Sequence, residues 1–179
     1  MVITGAGRGL GRALAIVAAG QGADVVLVGR DQDKLQAVAG EIQALTSRQS
    51  MTVACDLGDP DEVRSAYETI LASGQVVDVL INNGAPWLEG SLLETTDSEI
   101  ADTVSAAVTG TILMTRGLLP GLRQSSAADI VTIVSTAGYL GWDIRGASVA
   151  FHAAKHGQSG FSDRLRYELK DCLLYTSPS

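Results

Sequence analysis

The residues with the clearest capacity for chemistry open the chain: Thr4-Gly5-Ala6-Gly7-Arg8-Gly9-Leu10-Gly11, a strand end that runs into a glycine-rich turn and then an amphipathic helix. Glycines allow turn conformations that a Cβ forbids, let a ligand approach the main chain, and leave helix N-terminal N–H groups free to meet a pyrophosphate. The segment predicts a phosphate cradle for a dinucleotide. Its spacing is Gly-x-x-x-Gly-x-Gly, with Leu10 where the Gly-x-Gly-x-x-Gly fingerprint would need its third glycine, so a plain tight turn competes with that reading. Other candidate clusters say less. Cys55 and Cys172 are too few for a disulfide framework, and neither has a metal-ligand companion at short spacing. His152 and His156 share a helix face, yet no glutamate lies between them and no third ligand is identifiable, so no metal site is expected.

A cradle needs elements to hold it. Apolar runs at Val2 to Thr4, Asp24 to Gly29, Met51 to Cys55, Asp78 to Ile81 and Asp129 to Val134 read as short buried strands. Helical periodicity covers Leu10 to Ala19, Asp33 to Leu45, Pro60 to Ala72, Ser98 to Leu122 and Val149 to Leu169. This alternation predicts an α/β fold, a doubly wound parallel sheet of Rossmann type, with ligands bound at the carboxyl ends of the strands. The first strand would be central, but only Met1 to Thr4 precede the glycine turn. At the other end, the helix passes abruptly into Cys172-Leu-Leu-Tyr-Thr-Ser-Pro-Ser179. The expectation is one incomplete domain over 1–171, truncated at both ends, with 172–179 a non-native tail.

Composition narrows the partners. The chain has 179 residues, 46% hydrophobic and 18% charged, which suits a single globular domain with a sizeable core. With 13 Lys+Arg against 20 Asp+Glu, the net charge of -7 argues against nucleic acid or an anionic membrane surface as the main partner. No apolar run reaches spanning length, and the low cysteine usage suits a reducing, cytoplasmic setting.

The glycine loop, the Asn82-Asn83 pair after the fourth strand, Ser135 after the fifth and Lys155 on the following helix together resemble the short-chain dehydrogenase/reductase family over nearly the whole chain. In that family Thr-Gly-x-x-x-Gly-x-Gly binds a nicotinamide cofactor, Asn-Asn-Ala-Gly supports the central strands, and Ser with Tyr-x-x-x-Lys performs catalysis. The resemblance assigns cofactor contacts to Gly5, Ala6, Gly7, Arg8, Gly9, Leu10, Gly11, Asp56, Leu57, Asn82, Gly84 and Lys155. Arg8 and Arg30 would flank the adenosine ribose, where a guanidinium can fork onto a 2'-phosphate. The end of the second strand holds Gly29 rather than an acid able to bind ribose hydroxyls, so NADP(H) is preferred and NAD(H) is the alternative. Both arginines could equally be solvated, Asp31 and Asp33 could be helix caps, and Asp56 could be a strand-end turn residue.

The catalytic motif departs from the family's. Phe151 stands four residues before Lys155, at the family tyrosine position, and it carries no exchangeable proton. In the family the lysine lowers the phenol's pKa and holds the nicotinamide ribose; loss of the phenol implies a rate loss of about 10² to 10⁴. Ala107 replaces a family asparagine that holds a water leading to the lysine, and Gly84-Ala85 inverts the family's Ala-Gly. Ser135 is intact, in the role of orienting a substrate carbonyl, although a strand-end serine satisfying backbone reads the same way. Tyr139 and His152 are weak stand-ins for the phenol, while Trp87 and Trp142 could wall an apolar substrate pocket or simply pack. The implied function is hydride transfer between NADP(H) and a small carbonyl or secondary alcohol. The alternative is an NAD(P)-binding pseudoenzyme or sensor without turnover. A homo-dimer or tetramer is the implied assembly of a full-length protein.

Overall fold

The computed structural model describes residues 1–141 and 144–170; Trp142 and the 172–179 tail lie outside the described residues. The strands are β1 Val2–Thr4, β2 Val26–Gly29, β3 Met51–Ala54, β4 Val79–Asn82 and β5 Asp129–Thr132. They alternate with helices α1 Gly9–Gly20, α2 Gln32–Thr46, α3 Pro60–Ala72, α4 Asp97–Val104, α5 Gly110–Leu122 and α6 Val149–Leu169. Among the described residues the strands form one parallel sheet in the order β3-β2-β1-β4-β5. β1 is central. The order reverses between β1 and β4, and the crevice outside their carboxyl ends is where such sheets bind ligands.

Continuous apolar strands follow from this arrangement, because successive strand side chains point to opposite faces and both faces are covered. Val2, Val28 and Leu80 enter one core with Val63 and Ile70 of α3 and Leu118 and Leu122 of α5. Ile3, Leu27 and Ile81 enter the other with Ala15 of α1 and Leu35, Val38 and Ile42 of α2. Each buried Val, Leu or Ile contributes roughly 1.5–3 kcal/mol, so the register that aligns the strand ends is strongly held.

One element differs from expectation. The Ser98 to Leu122 pattern predicts one helix, but a π-helical turn at Ser105–Thr109 separates α4 from α5. A π turn carries an extra residue and rotates the face that follows. Thr103 and Ala106, before and within the turn, line the cleft, while Met114, Leu118 and Leu122 after it meet the core. The strand boundaries shift by one or two residues, β2 beginning at Val26 and β5 ending at Thr132.

Helix N-termini show which end of the fold is set aside for a ligand. Asp31 caps α2, Asp59 caps α3 ahead of Pro60, Thr96 and Glu99 form a capping box on α4, and Ser148 caps α6. Arg8 at the N-cap of α1 makes no side-chain cap, and the first turn of α1 contains no acidic residue.

Candidate active site

Gly5 and Gly9 adopt positive φ, +65° and +55°, so the turn after β1 uses backbone that other residues reach only with strain. Close packing fixes its shape as well. A Cβ on Gly5 would lie 2.8 Å from Gly84 Cα, and one on Gly11 would lie 2.3 Å from the Gly5 carbonyl oxygen. The turn is braced from β4: Thr4 Oγ1 accepts hydrogen bonds from Asn83 N at 3.0 Å and Gly84 N at 2.9 Å, and Asn83 Nδ2 donates to Thr4 O at 3.0 Å. Gly5, Gly7, Arg8, Gly9 and Leu10 then line a cleft of about 1100 Å³ across the carboxyl ends of β1 to β4. A turn with no room for a Cβ at Gly5 or Gly11, opening on uncapped N–H groups, fits the pyrophosphate of a dinucleotide.

Cations and carboxylates share one end of this cleft, three of each: Arg8, Arg30 and Lys34 with Asp31, Asp56 and Asp59. Arg8, Arg30 and Lys34 line it beside Gly29, Asp56 and Leu57. Arg30 Nη1 lies 3.8 Å from Asp56 Oδ2 and Lys34 Nζ lies 2.5 Å from Asp31 Oδ2, all four side chains substantially exposed. Exposed ion pairs are weak and exchange readily for a phosphate partner. The Lys34 hydrogen bonds hold the Asp31 carboxyl below its usual range. Cys55 also lines the cleft, but burial and the nearby Glu62, Asp56 and Asp59 carboxylates push its thiol up to about 12, so it stays protonated and unreactive.

The second group of residues, Ser135, Phe151 and Lys155, does not line this cleft; it adjoins the cleft through Trp87, which lines it and meets Phe151. Phe151 is buried and meets Trp87 edge-on, with ring centroids 4.7 Å apart. Lys155 is only 6% exposed; its Nζ sits 5.8 Å from the Phe151 centroid and donates to Ile133 O at 3.2 Å and Gln158 Oε1 at 2.8 Å. Burial lowers its pKa to about 8. The short helical turn Thr136–Gly138 packs against α6 so closely that a Cβ on Gly138 would lie 2.7 Å from the Lys155 carbonyl oxygen. This contact carries Ser135, two residues past Ile133, to the same corner. Ser135 Oγ accepts from Ala137 N at 3.2 Å, which leaves its hydroxyl hydrogen to donate elsewhere.

Several expected site residues take other positions. Ala6 is buried behind the loop, its N–H bonded to Val28 O at 3.1 Å, and Gly11 serves helix–strand contact rather than the cleft wall. Asn82 is buried and donates to Thr115 Oγ1 at 2.9 Å, so its side chain points into the helix layer; the neighbouring Asn83 faces the cleft and makes the brace. Ala85 avoids the strain of positive φ. Asp31 is a cap, as one reading allowed. Tyr139 is well exposed outside the residues lining the cleft, and His152 uses Nδ1 against Ser148 O and Nε2 against Ile144 N. Among the described residues no three His, Cys, Asp or Glu side chains converge on a metal position. Lys34 and Gln158 are absent from the sequence-based site. The signals were present: Lys34 lies on the first turn of α2, four residues after Arg30, and Gln158 follows Lys155 at i+3 on a buried face.

Comparison with known proteins agrees with this architecture. The family model for short chain dehydrogenase matches residues 1–172. Dehydrogenase/reductase SDR family member 7B of Bos taurus is 33% identical over 175 residues, covering 95% of this chain and 53% of that protein. The 3-oxoacyl-[acyl-carrier-protein] reductase FabG of Escherichia coli is 29% identical over 168 residues, covering 94% of this chain and 66% of that one. A metagenomic short-chain oxidoreductase solved in complex with NADP superposes with TM-score 0.85 at 32% identity, over 95% of this chain and 75% of that one. L-Sorbose reductase from Gluconobacter frateurii, complexed with NADPH and L-sorbose, superposes with TM-score 0.87 at 26% identity, over 95% and 64%. The chain thus spans about half the length of the first curated relative.

Proposed function

The chain belongs to the short-chain dehydrogenase family, whose members are oxidoreductases, and from that premise we propose that it binds NADP(H) and exchanges hydride with a small carbonyl or secondary alcohol. One observation carries the cofactor preference: three cations, Arg8, Arg30 and Lys34, line the end of the cleft where Gly29 supplies no carboxylate. A 2'-phosphate would gain charge-assisted hydrogen bonds there, whereas an unphosphorylated ribose would meet Gly29 rather than an acid at the end of β2, Asp31 and Asp56 being engaged with Lys34 and Arg30. The NADP and NADPH complexes among structural relatives support the same choice. In this reading Ser135 orients the substrate carbonyl, Lys155 holds the nicotinamide ribose, and water delivers the proton in place of a phenol. Positioning beside a nicotinamide that donates hydride sustains slow turnover without the missing acid.

A second reading, a cofactor-binding pseudoenzyme or sensor, is favoured by the Phe151 ring packed into the corner where a proton donor would serve. The two readings share the cofactor site and differ in turnover. Fluorescence titration with NADPH and NADH tests what they share: NADPH binds more tightly, and Arg30→Ala weakens it about 10-fold with little effect on NADH. Equal affinity for both cofactors would overturn the assignment of the cationic end. Oxidation of bound NADPH by any of a panel of carbonyl compounds then separates enzyme from sensor.

We also propose a cytoplasmic setting and a homo-oligomeric state. The small cysteine count supports the first, and partly exposed Val104 and Ile112 on α4 and α5 support the second. Sedimentation of the purified protein checks the assembly.

A further inference from the structure

Burying an ammonium is costly unless its hydrogens find acceptors, and Lys155 finds few. Phe151, one turn earlier on α6, offers a ring face and no acceptor. Ala107 on the π turn is buried with a methyl side chain. One acceptor is a main-chain oxygen, that of Ile133, and the other is Gln158 Oε1 at 2.8 Å. Gln158 is itself 1% exposed, and its Nε2 donates to Thr111 Oγ1 at 3.2 Å; Thr111 is 2% exposed, on the first turn of α5. The amide's orientation follows from chemistry. An ammonium only donates, so Oε1 must face Lys155 and Nε2 must face the threonine hydroxyl. Close packing brings the chain of contacts together: a Cβ on Gly157 would lie 2.8 Å from Val108 Cγ2, which lets α6 settle onto the π turn and Gln158 reach Thr111.

We infer that Gln158, anchored by Thr111, is the positioning residue that holds the Lys155 ammonium at the Ser135 corner, in a chain where position 151 provides no hydrogen-bonding group. A buried glutamine in an apolar helix interface is expensive to keep, and each of its two ends meets a partner that is also buried. Held from one side by Gln158 and from another by Ile133 O, Lys155 keeps its remaining hydrogen for a ligand. The inference deepens the proposed function by naming how its lysine is placed, and rests on that reading for the ligand alone.

The test reads Lys155 directly and needs no cofactor. In the folded, unliganded protein, the Lys155 midpoint is followed by NMR of 13Cε-labelled lysine, with Lys155→Arg used to assign the signal. Burial sets that midpoint near 8, with no charged neighbour contributing. Gln158→Leu removes the side-chain acceptor and lowers the midpoint by about one pH unit. Gln158→Glu replaces it with a carboxylate and raises the midpoint by at least as much, while Thr111→Val lowers it by less than Gln158→Leu. Opposite shifts for leucine and glutamate support the inference, because a packing role alone would not reverse sign with charge. An unchanged midpoint in folded Gln158→Leu overturns it; if that variant does not fold, an unchanged midpoint in Gln158→Glu does so. Cofactor titration of the same samples reports separately on the proposed function, so loss of one does not imply loss of the other.

Discussion

The cleft around the glycine turn and the corner around Lys155 are built on opposite terms. At the cleft, the backbone sets the shape: positive-φ glycines, uncapped N–H groups of α1, and a brace from Thr4 to Asn83 and Gly84. Arg30 and Lys34 stand at its rim in weak, exposed pairs, free to exchange partners. At the corner, Phe151, Lys155, Gln158 and Thr111 are buried: Phe151 packs on the half-exposed Trp87, and Lys155 bonds Gln158, which bonds Thr111. Binding machinery tolerates little change in backbone shape but needs few special side chains. Proton delivery depends on one functional group, and a single substitution removes it while the ring still packs.

The comparison predicts the sharpest damage at the backbone. Gly5→Val forces a side chain onto positive φ and within 2.8 Å of Gly84 Cα, and should destabilise the fold by about 3 kcal/mol or more, seen as a lowered melting temperature and lost cofactor binding. A stable, cofactor-binding Gly5→Val protein would show that the turn is not shaped as described. At the corner, the largest effect should be a gain: Phe151→Tyr restores an acid beside Lys155 and should raise turnover about 10²-fold, the lower end for general acid catalysis. No gain in a folded, NADPH-binding variant would remove position 151 from the mechanism.

A smaller effect tests the buried ammonium. Because the folded-state pKa of Lys155 is lowered from 10.5 to about 8, the unfolded chain binds the extra proton between those values, and stability rises with pH through that window. The contribution is on the order of 2 kcal/mol, measured by denaturant unfolding from pH 8 to 10.5, and Lys155→Met should abolish it. The mildest prediction returns to the rim. Lys34→Ala should weaken NADPH binding by only about 2- to 3-fold in the same titration, since Arg8 and Arg30 remain and the lysine is exposed.

Much of this was legible along the chain. Each strand run and helical period gave an element, because burial on one or two faces leaves periodic traces within a few residues. The glycine cradle was readable for the same reason: a tight turn, a close approach and a helix start lie within Gly5 to Gly11. The pairing of Asn83 rather than Asn82 with the cleft was less accessible. Two identical neighbours on a strand end point to opposite sides, and only registration against β1 decides which faces the turn. The π turn was hidden because a single extra residue barely disturbs a long apolar period.

By itself, then, the sequence determined the α/β alternation, the glycine turn after the first strand, the cations near the end of β2 and the absence of a proton on position 151. These are properties of short segments or of single side chains. Tertiary structure decided where Lys155 directs its hydrogens, that Gln158 and Thr111, 47 residues apart, meet, and that Thr4 is braced from Asn83, 79 residues away. Hydrogen bonds of buried groups are chosen by what the folded chain brings within 3 Å or so, and no local pattern encodes that choice.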